Sequence, residues 1–349
     1  MLATLLSSAL RGVEAMFVEV EVDVGRGLPQ LQIVGLPEAA VRESRERVRS
    51  AIRNSGYAFP AERITINLAP ADLKKAGAAY DLPIALGLLA ASGTLPRERL
   101  AGQVILGELS LDGRVKPVRG ALPIADAAAT RGVRRLLLPA TNAREAAIVD
   151  GVEVYGVRSL GEAVDFLLGR ARLAACRPQP LLPPTDGGFA PDLAEVHGQQ
   201  HAKRALEIAA AGGHNLLLIG PPGAGKTMLA TRLATILPEP TPAEAIEIAK
   251  VRSVVGLLEE VRRAPCRPLR APHHTLSAAG LAGGGPSLRP GEVTLAHNGV
   301  LFLDELPEFS RHVLEVLRQP MEERRVTLTR AAGSVSLPAA FLLIAAMNP

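Results

Sequence analysis

Apolar residues occupy every second position between residues 16 and 24 of the chain. They are Met16, Val18, Val20, Val22 and Val24, and acidic side chains separate the last four. A period of two is typical of a strand with one buried face. A Gly-rich turn follows and predicts a second strand at 31–34.

The rest of the first 169 residues mixes helical and strand patterns. Helices are predicted at 37–54, 81–91, 121–130, 142–149 and 160–168, and strands at 64–68, 136–139 and 152–157. Asp112-Gly113 between apolar runs at 104–110 and 115–118 predicts a hairpin. Hairpin and crossover connections together predict an α+β or mixed-sheet domain over 1–169. A proline-rich segment over 170–192 predicts a linker.

A second domain is predicted over 193–349. Its helices are predicted at 199–211, 226–237, 242–251 and 311–322, and its strands at 216–219, 300–303 and 340–347. A Gly/Pro-rich segment at 265–291 and a hairpin of 325–329 with 334–337 complete it.

The apolar strand at 216–219 leads into a Gly-rich turn and then a helix. Gly220, Gly225, Lys226 and Thr227 fit the pattern G-x-x-x-x-G-K-[ST], in which backbone N–H groups cradle phosphate oxygens. The lysine reaches the β- and γ-phosphates, and the threonine hydroxyl is a ligand for Mg²⁺. The residues predicted to bind ATP are Gly220, Pro221, Pro222, Gly223, Ala224, Gly225, Lys226, Thr227 and Met228.

Asp304 and Glu305 follow the apolar strand at 300–303. Ligands bind at the carboxyl ends of strands in open α/β sheets, so this pair is placed to complete the nucleotide site. Asp304 is predicted to hold Mg²⁺ with Thr227, and Glu305 to act as the general base. Asn348, after the last strand, is predicted to orient the attacking water, so Lys226, Glu305 and Asn348 form the predicted catalytic set.

Composition and charge say less about function than these motifs do. The 349 residues are 48% hydrophobic and 21% charged, with a net charge of +4 and a pI near 9.3, which permits a nucleic-acid partner without requiring one. The two cysteines, Cys176 and Cys266, are in no metal-type spacing, and no run of 18 apolar residues occurs. These features favour a cytoplasmic protein with no membrane partner.

The second half of the chain resembles AAA+ ATPases of the magnesium-chelatase clade, and its motifs are similar to those of the ComM/YifB family. The resemblance covers essentially the whole chain, and its most specific residues are 270–275, 283–285, 290–292 and 296–299, together with the nucleotide motifs. It implies a Lon-protease-like (ribosomal S5-type) first domain, a P-loop AAA+ parallel-sheet domain, and a homo-hexamer that hydrolyses ATP. It also implies a DNA helicase that promotes branch migration in recombination during natural transformation, with Arg289 and Arg330 as candidate DNA-facing residues.

The resemblance to the Lon proteolytic domain lacks its catalytic dyad. The positions that match the serine nucleophile and the lysine base carry Ile84 and Leu122. Neither side chain can attack a carbonyl or take a proton, so the first domain is expected to be non-proteolytic and to take no protease substrate.

Two other functions remain open at this stage. One is the motor subunit of a magnesium chelatase acting on a protein partner, and the other is a nucleotide-dependent regulatory module without significant turnover. The resemblance also places an arginine finger and a helical lid beyond Pro349. A chain ending there is expected to be C-terminally truncated, without its lid and with weak activity.

Overall fold

The computed structural model describes residues 1–177, 192–257, 267–285, 288–330 and 333–349. The chain divides into two compact units, Met1–Pro180 and Leu181–Pro349. The predicted linker at 170–192 lies mostly outside the described residues, and the predicted domain boundaries stay predictions.

The first unit is built on a seven-stranded mixed sheet with strand order β3-β4-β2-β1-β5-β8-β9. Strand β2 pairs antiparallel with β1 and with β4, and all the other pairings are parallel. The strands are β1 (Leu2–Arg11), β2 (Glu14–Gly25), β3 (Gln30–Val34), β4 (Arg63–Ala69), β5 (Gln103–Ile105), β8 (Arg135–Pro139) and β9 (Glu153–Val157), with a separate hairpin of β6 (Glu108–Leu109) and β7 (Val115–Lys116).

The helices of this unit supply the rest of its core. They are α1 (Ala39–Asn54), α2 (Asp81–Ala91), α3 (Ala121–Thr130), α4 (Ala143–Ala146) and α5 (Leu160–Leu167), with a 3₁₀ turn at Arg97–Leu100. Every residue of α2 is buried, because its sequence is apolar on all sides and it packs on β1 and β2.

Two features of this unit differ from the predicted elements. Strand β1 was not predicted, and the single predicted strand at 104–110 is two short strands. Gly107 separates them, because its N–H donates to the Ala79 carbonyl and its carbonyl accepts from Leu82 N–H, each at 2.9 Å.

The second unit contains a parallel four-stranded sheet with the order β10-β17-β14-β11. Its strands are β10 (Leu216–Ile219), β11 (Leu269–Arg270), β14 (Gly299–Leu303) and β17 (Phe341–Met347); two short antiparallel pairs are β12 (Gly283–Gly284) with β13 (Arg289–Pro290) and β15 (Arg325–Arg330) with β16 (Gly333–Pro338). The chain is therefore an α/β protein with a parallel sheet in its second unit, as predicted.

Of the helices of the second unit, the one at Lys226–Ile236 packs on β14 and β17 of this sheet. The helices are α6 (Gln200–Gly212), α7 (Lys226–Ile236), α8 (Pro242–Val255), α9 (Ala278–Ala282), α10 (Glu292–Leu295), α11 (Arg311–Val316) and α12 (Arg318–Glu323), with 3₁₀ turns at Leu193–Glu195 and Leu306–Glu308. The single predicted helix at 311–322 was wrong, since it breaks at Leu317. Pro320 lacks the N–H that would bond the Val316 carbonyl, which favours a new helical start there. In the described part of the chain, no helix is both long and apolar enough to span a bilayer.

Candidate nucleotide-binding site

Three predicted site segments meet at one edge of the second sheet. Parallel pairing sets Ile219 of β10 beside Met347 of β17, and Leu303 of β14 beside Ala345 of β17. The residues that follow these strands therefore share the carboxyl edge, where ligands bind in sheets of this type.

The loop between β10 and α7 has the backbone that a phosphate cradle requires. Gly223 and Gly225 take left-handed φ values of 80° and 83°, a region in which a side chain is strained. Helix α7 begins at Lys226, directly after this turn, so the positive end of its dipole faces the loop. The local sequence thus produces a turn whose backbone geometry suits an anion.

The ammonium group of Lys226 joins the loop to the last strand. It donates to the carbonyls of Gly220 at 2.7 Å and Pro221 at 3.1 Å, and to Asn348 Oδ1 at 2.9 Å. Its three donors are thus directed at oxygen atoms around one point, which is suitable for exchange with phosphate oxygens.

The hydroxyl of Thr227 lies against the carboxylate of Asp304. Thr227 Oγ1 donates to Asp304 Oδ2 at 2.6 Å, and Asp304 Oδ1 accepts the N–H of Glu305 at 3.0 Å. A hydroxyl and a carboxylate this close form a hard oxygen donor set, so these residues fit Mg²⁺.

Glu305 extends from this edge with its side chain 58% exposed. One carboxylate oxygen lies 3.3 Å from Nδ1 of His274. The His274 ring in turn stacks on His273 and meets Phe309 edge-on. The sequence motifs did not predict this contact between His274 and Glu305.

These side chains line one open cleft of about 320 Å³. Its lining residues are Pro222, Gly223, Ala224, Gly225, Lys226, Thr227, Asp304, Glu305, Met347 and Asn348. Of the predicted nucleotide ligands, Gly220 and Pro221 contribute the carbonyls that hold Lys226, whereas Met228 is exposed and does not line the cleft. Gln199 was missed by the sequence reasoning, and its side-chain amide donates to the Ala224 carbonyl at 3.3 Å.

The two candidate DNA-facing arginines lie on short antiparallel pairs. Arg289 is exposed on β13 beside Gly284, and Arg330 ends β15 opposite Gly333. Residues 286–287 and 331–332, which lie between the paired strands in sequence, are outside the described residues. DNA contact stays a prediction for both.

In the first unit, the positions matched to a protease dyad are core positions. Ile84 is 1% exposed on α2, and Leu122 is 0% exposed at the start of α3. The Leu122 N–H donates to the buried carboxylate of Glu145 at 3.3 Å. Both side chains contribute to packing.

Comparison with known proteins places this geometry in a family context. Residues 192–349 match the family "Magnesium chelatase, subunit ChlI", and residues 20–142 match "Subunit ChlI of Mg-chelatase". The chain is 48% identical to Competence protein ComM of Haemophilus influenzae, over all of this chain and 69% of that protein. It is also 48% identical to the uncharacterized protein YifB of Salmonella typhimurium, over all of this chain and 68% of that protein.

A shorter match is to a subunit of a DNA-processing complex. The chain is 34% identical over 154 residues to the Holliday junction branch migration complex subunit RuvB of a Synechococcus species. This match covers 41% of the chain and 32% of that subunit.

Proposed function

Because the chain belongs to the ComM/YifB family of Mg-chelatase-like proteins, we propose that it is an AAA+ motor that hydrolyses ATP to remodel branched DNA during recombination. The observation that carries the ATPase part is the convergence of the two nucleotide motifs. Thr227 Oγ1 lies 2.6 Å from Asp304, and Lys226 donates to Asn348 at 2.9 Å.

Binding of the triphosphate uses the loop and its lysine. Lys226 releases the Gly220 and Pro221 carbonyls and donates to the β- and γ-phosphate oxygens, while the loop N–H groups bond the same oxygens. Thr227 and Asp304 hold a magnesium ion, which supplies neutralisation of the charge that develops on the phosphates.

The chemical step falls to Glu305 and Asn348. Glu305 accepts the proton of the attacking water, and His274, at 3.3 Å, restrains its carboxylate. Asn348 orients the same water through its side-chain amide. Since the Glu305 carboxylate is exposed, water has access to it in this arrangement.

The DNA part of the proposal is supported by the relatives and by charge. ComM is named a competence protein and RuvB a branch migration subunit. The chain itself carries a net charge of +4, and Arg289 is an exposed cation on β13. A homo-hexameric ring threads or rotates DNA in this proposal, with the β12–β13 and β15–β16 pairs contacting the phosphate backbone.

An ATPase assay of the full-length protein tests both parts. The wild type is measured beside Glu305→Gln and a control, Glu308→Gln, whose exposed carboxylate does not line the cleft. Turnover falls by roughly 10² to 10⁴-fold in Glu305→Gln and stays near wild type in the control. A four-way junction stimulates the wild type. No turnover in the wild type would refute the ATPase, equal turnover in all three proteins would refute the role of Glu305, and a rate unchanged by any DNA would refute the DNA part alone.

A second candidate is the motor subunit of a magnesium chelatase, which the two ChlI family matches favour. In that case the partner is a protein that inserts Mg²⁺ into a porphyrin, and DNA does not affect turnover. Nucleotide binding with no turnover in any condition would instead support a nucleotide-dependent regulatory module.

A further inference from the structure

His297 lies two residues before the start of β14 at Gly299, and its side chain is 8% exposed. Its imidazole contacts two other elements. The N–H of Ala340, which precedes β17, donates to Nδ1 at 3.0 Å. On the opposite side of the ring, Nε2 lies 3.1 Å from a carboxylate oxygen of Glu247 on α8. The ring therefore joins the starts of two parallel strands to a helix.

These contacts assign the protonation state of the ring. A backbone N–H can only donate, so Nδ1 must present a lone pair to Ala340. The proton of the neutral ring is then on Nε2, where it is donated to Glu247. Asn298 Nδ2 donates to the same Glu247 oxygen at 2.8 Å. Asn298 Nδ2 and His297 Nε2 lie 3.2 Å apart because both donate to this one oxygen.

A second bond between the same two strand starts runs in the reverse direction. The N–H of Asn298 donates to the Ala340 carbonyl at 2.6 Å. Asn298 takes a left-handed φ of 57°, which turns the chain from the ring into β14. The backbone N–H of Ala340 thus bonds His297, and its carbonyl bonds Asn298, the next residue before β14.

Both strands are short and lead straight into the nucleotide site. Strand β14 runs from Gly299, paired with Phe341, to Leu303, paired with Ala345. Asp304 and Glu305 follow β14, and Asn348 follows β17. A shift of one residue in this pairing would reverse the faces of β14 and displace both carboxylates.

We propose that the neutral His297 imidazole is a positioning residue that fixes the register of β14 against β17, and so the placement of Asp304 and Glu305 relative to Asn348. The inference rests on the ATPase function proposed above, for which it names a residue remote from the nucleotide cleft.

The contact between His297 and Ala340 is expected to weaken at low pH. Burial lowers the pKa of His297 from its ordinary value, while the hydrogen bond to Glu247 and the charge of Glu244 oppose that shift. Arg267 is the other charged group here, bonding Glu244 and the Asn298 carbonyl. Protonation would place a hydrogen on Nδ1 against the Ala340 N–H. The contact is therefore fully present above the unfolded pKa of about 6.5 and is lost as the pH falls through the lower pKa of the folded protein.

Three substitutions of His297 distinguish its contact with Ala340 from its contact with Glu247. In His297→Asn, the amide oxygen lies as many bonds from Cβ as Nδ1 and can accept from Ala340. In His297→Gln, the amide nitrogen lies as many bonds from Cβ as Nε2 and can reach only Glu247. His297→Ala removes both contacts. Turnover, nucleotide affinity and amide exchange over residues 340–347 are measured for each full-length protein, at temperatures where all are folded.

His297→Ala and His297→Gln are expected to lose roughly tenfold to hundredfold in kcat, with nucleotide affinity within about threefold of wild type. His297→Asn keeps kcat near the wild-type value at pH 7.5, and its kcat loses the decline at acidic pH that His297 causes in the wild type. Rescue by glutamine in place of asparagine, or an unchanged kcat in His297→Ala, would overturn the proposal.

Amide exchange keeps the test independent of the proposed function. If the wild type hydrolyses no ATP, the ATPase proposal fails, but exchange still reports the contact. His297→Ala then raises exchange over residues 340–347 by about tenfold or more, while His297→Asn does not. Equal protection in both variants would refute the positioning role whatever the turnover.

Discussion

The ion pair of Arg47 and Asp81 connects α1 to the start of α2 in the first unit. Arg47 Nε and Nη2 donate to the two Asp81 carboxylate oxygens at 2.7 and 3.1 Å, and the Leu109 N–H adds a third bond at 3.2 Å. The Asp81 side chain is fully buried, whereas that of Arg47 is 22% exposed. Replacing Arg47 with methionine therefore leaves a buried carboxylate with one hydrogen bond.

The size of the effect follows from burial and depends on pH. Removing one partner of a buried pair costs about 3–5 kcal/mol, and partial exposure of Arg47 favours the lower end. Burial raises the pKa of Asp81 to about 6, although Arg47 opposes the shift. A folded pKa above the unfolded value means that stability falls as the pH rises through this range. Without Arg47 that pKa rises further, at about 1.4 kcal/mol per unit, so the penalty is larger at pH 8 than at pH 5.

Tyrosine fluorescence provides an assay confined to this unit. The chain has no tryptophan, and its three tyrosines, Tyr57, Tyr80 and Tyr155, all lie within Met1–Pro180. Urea unfolding followed by tyrosine emission at pH 5 and pH 8 therefore reports the first unit alone. Arg114→Met is the matched control, because Arg114 pairs with Asp112 at 2.7 Å with both side chains exposed.

The control is expected to lose less than about 1 kcal/mol at either pH. If Arg47→Met lost no more than the control, or lost equally at pH 5 and pH 8, the account of Asp81 as a buried carboxylate stabilised by Arg47 would be wrong.

The nucleotide site and its flanks give three further predictions. Thr227→Val should lower the affinity for ADP about tenfold in Mg²⁺ but not in EDTA, measured with a fluorescent analogue; equal losses would contradict the ligand role. His274→Ala should lower kcat roughly tenfold while ADP affinity is kept, because Glu305 loses its restraint. Arg289→Ala should reduce the salt slope of DNA binding by about 0.9, whereas the exposed control Arg311→Ala should not.

The sequence was most informative where local chemistry dictates the conformation. The Gly-rich turn before Lys226 predicted both the start of α7 and the phosphate cradle, since only glycine readily takes the left-handed φ of Gly223 and Gly225. Parallel strands also bring their carboxyl ends together, which is why Asp304 and Asn348 could be assigned to one edge before any coordinates.

Strand β1 had no comparable signal. It lies between β2 and β5, and burial alternates along it from Leu2 to Ser7, but apolar and polar residues occur on both faces, so the sequence itself does not alternate. Ser7 and Ser8 are buried within it, and the Ser8 hydroxyl donates to the Met16 carbonyl at 3.0 Å. The buried Ser7 hydroxyl, by contrast, has no hydrogen-bond partner among the described residues. The sequence reveals neither the partner of Ser8 nor the burial of Ser7.

Contacts between distant segments were the other limit. The two-residue strand β11 lies in the Gly/Pro-rich segment, where neither periodicity nor length indicates a strand. It nevertheless adds the fourth strand of the sheet and brings His274 within 3.3 Å of Glu305. That pairing depends on strand order, and strand order depends on the whole chain.

The hydrogen bond from Lys226 to Asn348 connects the Gly-rich loop to the residue that follows β17. Strand β17 carries Asn348 at its end and begins just after the β15–β16 hairpin, whose base is tied by the Ala339 N–H to the Arg324 carbonyl at 2.9 Å. A partner that binds this hairpin and moves β17 would therefore change the surroundings of the Lys226 ammonium group. If that partner changes the affinity for a nucleotide, then by thermodynamic reciprocity the nucleotide changes the affinity of the hairpin for the partner by the same factor.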